Sequence, residues 1–149
     1  MEVVRTYYKE EQLKEEYCLI NNKKEGLYKM YHYYGELYKI CNYVNGKING
    51  ECKTYYENGQ LLLICNYIDG KRNGEYKSYH KNGQLFFICN YINGNKNGEH
   101  KWCHENGQFD VICNYVDGKI NGEYKDYSED GILIRHKIYK NNEIIQIIL

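Results

Sequence analysis

A block of this sequence returns every 24 residues, and that period constrains the fold more than any other feature. Ile-Cys-Asn-Tyr occupies 40–43, 64–67, 88–91 and 112–115. Asn-Gly-Glu occupies 49–51, 73–75, 97–99 and 121–123, in the same step. Glycine keeps the step as well, at Gly35, Gly59, Gly83, Gly107 and Gly131. A fixed period of this size marks a tandem array whose units pack against their neighbours.

The turn chemistry says what each unit is. Twelve of the fourteen glycines follow Asn or Asp. Such pairs are the strongest short-range hairpin signal, because they supply positive φ at low steric cost. They fall at two places per unit: a short turn such as Asn82-Gly83, and a longer one spanning Asp69 to Gly74. The runs between them, such as Gln60–Ile68 and Glu75–His80, have strand lengths. The chain lacks alanine and proline and carries 19 tyrosines, a composition that favours strands over helices. The expectation is all-β: an extended, twisted antiparallel sheet of tandem hairpins, about six units and about twelve strands.

The 149 residues then form a single repeat domain. Repeats occupy 25–48, 49–72, 73–96 and 97–120, flanked by worn units at 1–24 and 121–149. In the first worn unit, Thr6-Tyr7-Tyr8 matches Thr54-Tyr55-Tyr56, and Glu11 stands where the turn glycine belongs. Read alone, the segment KEEQLKEE also admits a helix. In the last unit, Asn142 stands where Gly118 predicts glycine.

Side chains alternate across a strand, so the period sorts them into columns. Cys41, Cys65, Cys89 and Cys113 form one column. Equivalent residues lie two strands apart, about 9–10 Å, and a disulfide needs less than about 7 Å. The column is read as thiols filling small apolar spaces in a reducing compartment. No closely spaced Cys pair suggests zinc. Tyr43, Tyr67, Tyr91 and Tyr115 form a second column, read as cross-strand packing or as an aromatic binding ladder. Lys53, Lys77, Lys101 and Lys125 could suggest an anionic partner. Glu51, Glu75, Glu99 and Glu123, two residues earlier on the same face, largely cancel that field. His32, His80 and His104 share a further column but stand too far apart for a common metal or a catalytic pair.

No catalytic, cofactor-binding or metal-binding residue is singled out, so an enzyme is not expected. Twenty basic and twenty acidic residues give zero formal charge, which argues against nucleic acid as a partner. No apolar run reaches membrane-spanning length, and no secretory signal is evident at Met1–Gln12.

The unit resembles MORN repeats, in the variant form NGxYxxYxxNGxLxxxxxYxxGKxxG. The resemblance rests on Tyr76, Tyr79, Asn82-Gly83, Leu85, Tyr91, Gly94 and Gly98 with their equivalents, and it is strongest from Gly26 to Leu133. Cys52 and His100 depart from it in the first tyrosine column, and Cys103 in the second. The resemblance implies an extended antiparallel sheet and a non-enzymatic scaffold that binds a protein, or a second copy of itself, in the cytoplasm. Similar repeats in giant viruses imply action in the cytoplasm of an infected host. Similar bacterial variants carry an antitoxin or immunity label, and a phospholipid role is attached to the wider family. No polybasic cluster supports that last role here.

Overall fold

A computed structural model describes residues 1–149, except for the side chain of Glu10. It contains thirteen strands: β1 Glu2–Tyr7, β2 Leu13–Ile20, β3 Lys23–Tyr31, β4 Leu37–Val44, β5 Lys47–Tyr55, β6 Leu61–Ile68 and β7 Lys71–Tyr79. They continue with β8 Leu85–Ile92, β9 Asn95–Cys103, β10 Phe109–Val116, β11 Lys119–Tyr127, β12 Leu133–Lys140 and β13 Glu143–Ile147. The fold is an open antiparallel sheet of hairpin repeats, and its strand order is the chain order. Contacts cluster into two compact units, Met1–Lys71 and Arg72–Leu149. Among the described residues no helix is long and apolar enough to cross a membrane.

Two kinds of turn alternate. Asn45-Gly46, Asn93-Gly94 and Asp117-Gly118 each reverse the chain in two residues, both with positive φ. That geometry matches the twist of the flanking strands. The other kind is a longer loop, closed in the first unit by Tyr56 N–H to Gln60 O at 2.9 Å and Gly59 N–H to Tyr56 O at 2.9 Å.

This reverses one expectation. The longer turn at Asp69–Gly74 does not form: Asp69-Gly70 makes the reversal, β7 begins at Lys71, and Gly74 lies inside the strand at φ +88°. The same device appears at Gly50, where the register shifts between Cys41↔Cys52 and Tyr43↔Ile48. Glycine at positive φ lets a bulge absorb the extra residues, so the ladder resumes without a loop.

The worn ends keep the backbone of the intact units. Glu11 takes φ +62°, the left-handed conformation that Gly35 and Gly59 take in their loops. Only a single 3₁₀ turn, Lys9–Glu11, forms where KEEQLKEE admitted a helix, and Leu13 already starts β2. Asn142, at φ +73°, fills the glycine position of the last turn and launches β13.

The core is thin, and all of it but Cys103, which shares the face of Lys101, lies on one face. In the first unit Tyr28, Cys41, Cys52 and Cys65 are buried. In the second, Phe87, Cys89, Tyr91, His100, Cys103 and Cys113 are buried, together with Ser78 and Asp126. All seven cysteines are thiols.

Candidate interaction surface

On the buried face the column of Tyr43, Tyr91 and Tyr115 packs against the column of Tyr28, Tyr76 and His100. Tyr43 meets Tyr28 edge-on at 5.6 Å, and Tyr91 meets Tyr76 at 5.9 Å. Tyr115 lies 4.3 Å from the ring of His100, which holds the tyrosine position there. Cations cover these rings from the bulged strands. Lys24 sits 4.2 Å from Tyr17 and 4.4 Å from Tyr28. Arg72 sits 5.0 Å from Tyr76, and Lys96 sits 5.0 Å from Tyr115. Rings held this way are packing elements, each cation adding roughly 0.5–1 kcal/mol at a partly exposed site. Of the two readings of that tyrosine column, this geometry favours packing.

The chemistry of this face is quiet. Burial pushes the thiols of Cys89 and Cys113 up to about 11, so they are protonated and weakly nucleophilic at neutral pH. Burial likewise raises the hydroxyls of Tyr43, Tyr91 and Tyr115. Among the described residues no group of three His, Cys, Asp or Glu side chains is placed to hold a metal ion.

The histidine column has a structural task. His32 Nε2–H donates to Tyr55 O at 2.9 Å, His80 Nε2–H to Cys103 O at 3.1 Å, and His104 Nε2–H to Tyr127 O at 3.1 Å. Each ring ties its loop to the end of the strand two along the sheet. In the second unit Asn82 and Asn106 repeat the tie from their side-chain amides, to Glu105 O and Glu129 O.

The opposite face is the accessible one. Ile40 lies across from Lys29 and Lys53, and Ile88 from Lys77 and Lys101. Ile112 lies across from Lys101 and Lys125. Every second strand therefore offers an isoleucine flanked by lysine stems. The isoleucines do not run on as a bare strip, because lysine alternates with them across the ladder. Lys53, Lys77, Lys101 and Lys125 each bond the glutamate two residues before: Lys53–Glu51 at 2.5 Å, Lys77–Glu75 at 2.6 Å, Lys101–Glu99 at 2.5 Å and Lys125–Glu123 at 2.6 Å. Those carboxylates raise the ammonium groups of Lys53, Lys77 and Lys125, and Lys125 lowers Glu123. The column of cations offers little unpaired charge to an anion.

Between these pairs lie shallow clefts. One of about 200 Å³ is lined by Glu75, Ile88, Asn90, Glu99 and Lys101. The next, of about 350 Å³, is lined by Glu99, Ile112, Asn114, Glu123 and Lys125, the same residue types one period on. Small-molecule pockets run from about 300 to 1,000 Å³ and are mostly apolar. These shared-wall clefts suit an extended surface contact better.

The first unit breaks the pattern at its N-terminal end. There a cleft of about 430 Å³ is lined by Val3, Arg5, Glu16, Cys18, Leu27 and Asn42, among others. Leu27 takes the position that Glu51, Glu75, Glu99 and Glu123 hold, and Cys18 takes an asparagine position. Arg5 pairs with Glu16 at 2.7 Å at its side. Val3 and Leu27 are 53% and 52% exposed, so this cleft presents apolar surface where later ones present carboxylate. The substitution at Leu27 was visible in the 24-residue phase. Its exposure depends on which face is covered, which the phase does not give.

A family model described as MORN repeat variant matches residues 48–69, 72–93 and 120–141. No curated protein matches the chain. Among 21 matching chains of solved structures is one titled "Crystal structure of GtfA/B complex bound to UDP and GlcNAc". It is 16% identical over 79% of this chain, with a TM-score of 0.31, and this chain spans 23% of its length. A likeness that low carries no argument.

Proposed function

Because the chain is built of MORN-variant repeats, we propose that it is a non-enzymatic scaffold that binds a protein partner, a second copy of itself included, through its accessible face. The observation that carries this reading is the cleft at Val3, Cys18 and Leu27. Exposed apolar side chains gathered in a concave site mark interaction surfaces, whereas scattered ones do not. Paired rims such as Lys53–Glu51 surround the isoleucine floors and suit register and specificity more than affinity. The lysine pairing weighs against a phospholipid headgroup as the ligand. Thiols in place of disulfides support action in a cytoplasm, that of an infected host if the chain is viral. Nothing in the geometry favours the antitoxin alternative.

Leu27→Glu tests the reading, because it restores the residue that intact repeats carry and so preserves the fold. The expected outcome is a wild-type circular dichroism spectrum with loss of self-association in sedimentation velocity, or loss of bound protein in affinity capture from host lysate. Full retention of both by the variant would sink the proposal.

A further inference from the structure

The first unit contains a row of three cysteines on three adjacent strands. Cys41 on β4 is directly across from Cys52 on β5, and Cys52 is directly across from Cys65 on β6. The distance argument between equivalent cysteines leaves this row untouched, because Cys52 occupies the intervening strand. Directly opposed residues in an antiparallel pair have Cα atoms about 4.5–5.5 Å apart, inside the disulfide range of about 4.4–6.8 Å. The thiols of Cys41 and Cys52 share a hydrogen bond.

The other four cysteines have no such neighbour. Cys18 is paired with Val3 and Glu25, and Cys89 with Tyr76. Cys103 faces Phe109, while Cys113 faces His100 and Tyr124. The second unit thus serves as an internal control, with the same backbone but no opposed thiols.

We infer that Cys41, Cys52 and Cys65 form a peroxide-oxidisable site in which Cys52 closes a disulfide with one flanking thiol and the third thiol can exchange into it. The chemistry balances with a peroxide as oxidant. One thiolate sulfur attacks a peroxide oxygen: the S–O bond forms, the O–O bond breaks, and the leaving hydroxide takes the proton released by that thiol. The opposed thiol then attacks the sulfenic sulfur. The S–S bond forms, the S–O bond breaks, and its oxygen leaves as water with that thiol's proton. Two thiols lose two electrons and two protons, and hydrogen peroxide becomes two waters. A later attack by the third thiolate on Cys52 moves the disulfide without changing the redox state.

Burial sets the pace. Cys41, Cys52 and Cys65 are 2%, 3% and 2% exposed. Hydrogen bonding to Cys52 and burial both push the Cys41 thiol far up, so the thiolate is scarce in the closed sheet. Oxidation therefore proceeds through local opening of the strands, and a small oxidant reaches the row before a bulky one. The site goes beyond the scaffold reading and stands or falls without it.

The test uses hydrogen peroxide on the full chain, with acid quenching, alkylation and peptide mass mapping. Cys52→Tyr is the matching variant, because Tyr28, Tyr76 and Tyr124 hold that slot elsewhere. Expected is one disulfide per wild-type chain, always containing Cys52 with Cys41 or Cys65, removed by dithiothreitol. Cys52→Tyr should keep the circular dichroism spectrum and lose the cross-linked peptide at least tenfold. The inference is overturned if Cys52 remains alkylatable while sulfinic forms accumulate elsewhere. It is equally overturned if linked peptides lack Cys52, or persist undiminished in the variant.

Discussion

Strands β4–β6 and β8–β10 carry equivalent residues on the same face, with ladders that differ only at the bulge, yet they fill it differently. In β4–β6 the row running across the strands is Cys41, Cys52, Cys65, with Ile48 at the bulge. In β8–β10 the row is Cys89, His100 and Cys113, joined by Phe87, Trp102 and Tyr115, with Lys96 at the bulge. Small sulfur atoms fill one row, and a stack of rings fills the other. The repeat therefore fixes the backbone, through glycines at positive φ, and leaves the core filling free. The bulge residue follows the filling in most units. Lys24, Arg72 and Lys96 lie over rings, and Ile48 marks the thiol row. Ile120, beside the Tyr124–Tyr139 pair, is the exception.

The largest contrast should appear on truncation. Phe87 is 8% exposed and lies 4.6 Å from Trp102 and 6.0 Å from His100. Phe87→Ala should cost about 3 kcal/mol, the low end for a buried phenylalanine, because a single sheet leaves one side open. Cys65→Ala removes one sulfur from a row of small atoms and should cost about 1 kcal/mol. Urea unfolding measures both. Equal losses would mean that the two rows contribute alike, and the comparison would fail.

The two rows also differ in what titrates. His100 is fully buried, donates Nδ1–H to Gly98 O at 3.0 Å, and leaves Nε2 without a hydrogen-bond partner. Burial holds its imidazole below the usual value, Lys96 adds to that, and the Gly98 carbonyl opposes it. Above about pH 6.5 the ring is neutral in both folded and unfolded chains, and it adds no pH dependence. Below that, the unfolded chain takes the proton first, so stability falls until the folded ring titrates as well. His100→Tyr, which restores the tyrosine of Tyr76 and Tyr124, should remove this acid-side loss. Melting temperatures of both proteins between about pH 7.5 and 5.5 make the check, and parallel curves would exclude His100 as the source.

Much of this was legible in the residues, and the limit has a physical cause. Residues 24 apart occupy equivalent places, so the strands, the loop glycines, the left-handed Glu11 and the substitute Asn142 followed from phase alone. The Lys53–Glu51 type of pair followed from alternation along one strand. Facing residues on adjacent strands are another matter, because their offset depends on how many residues a bulge absorbs. Asp69–Gly74 reads as a loop by composition, yet it holds a two-residue turn and the start of a strand. With that offset unknown, Cys52 could not be set opposite Cys41, nor His100 opposite Cys113. The accessible cleft at Leu27 was hidden for a related reason, since alternation gives two faces without saying which is covered.

The smallest effect tests the bulge residue. Lys96 lies 5.0 Å from the Tyr115 ring and 5.7 Å from the rings of Phe87 and Trp102. Lys96→Ile gives it the residue found at Ile48 and should cost about 0.5–1 kcal/mol, the worth of a partly exposed cation over aromatic faces. The reverse change, Ile48→Lys, should give a smaller gain, because Tyr43 and Tyr67 remain beside it but Lys39, Cys52 and Thr54 stand where Phe87, His100 and Trp102 stand around Lys96. A swap of the two residues should therefore be a net loss. If the double variant matched the wild type in urea, the bulge position would be indifferent to the row beneath it. The pairing of cation with ring in Lys24, Arg72 and Lys96 would then be coincidence.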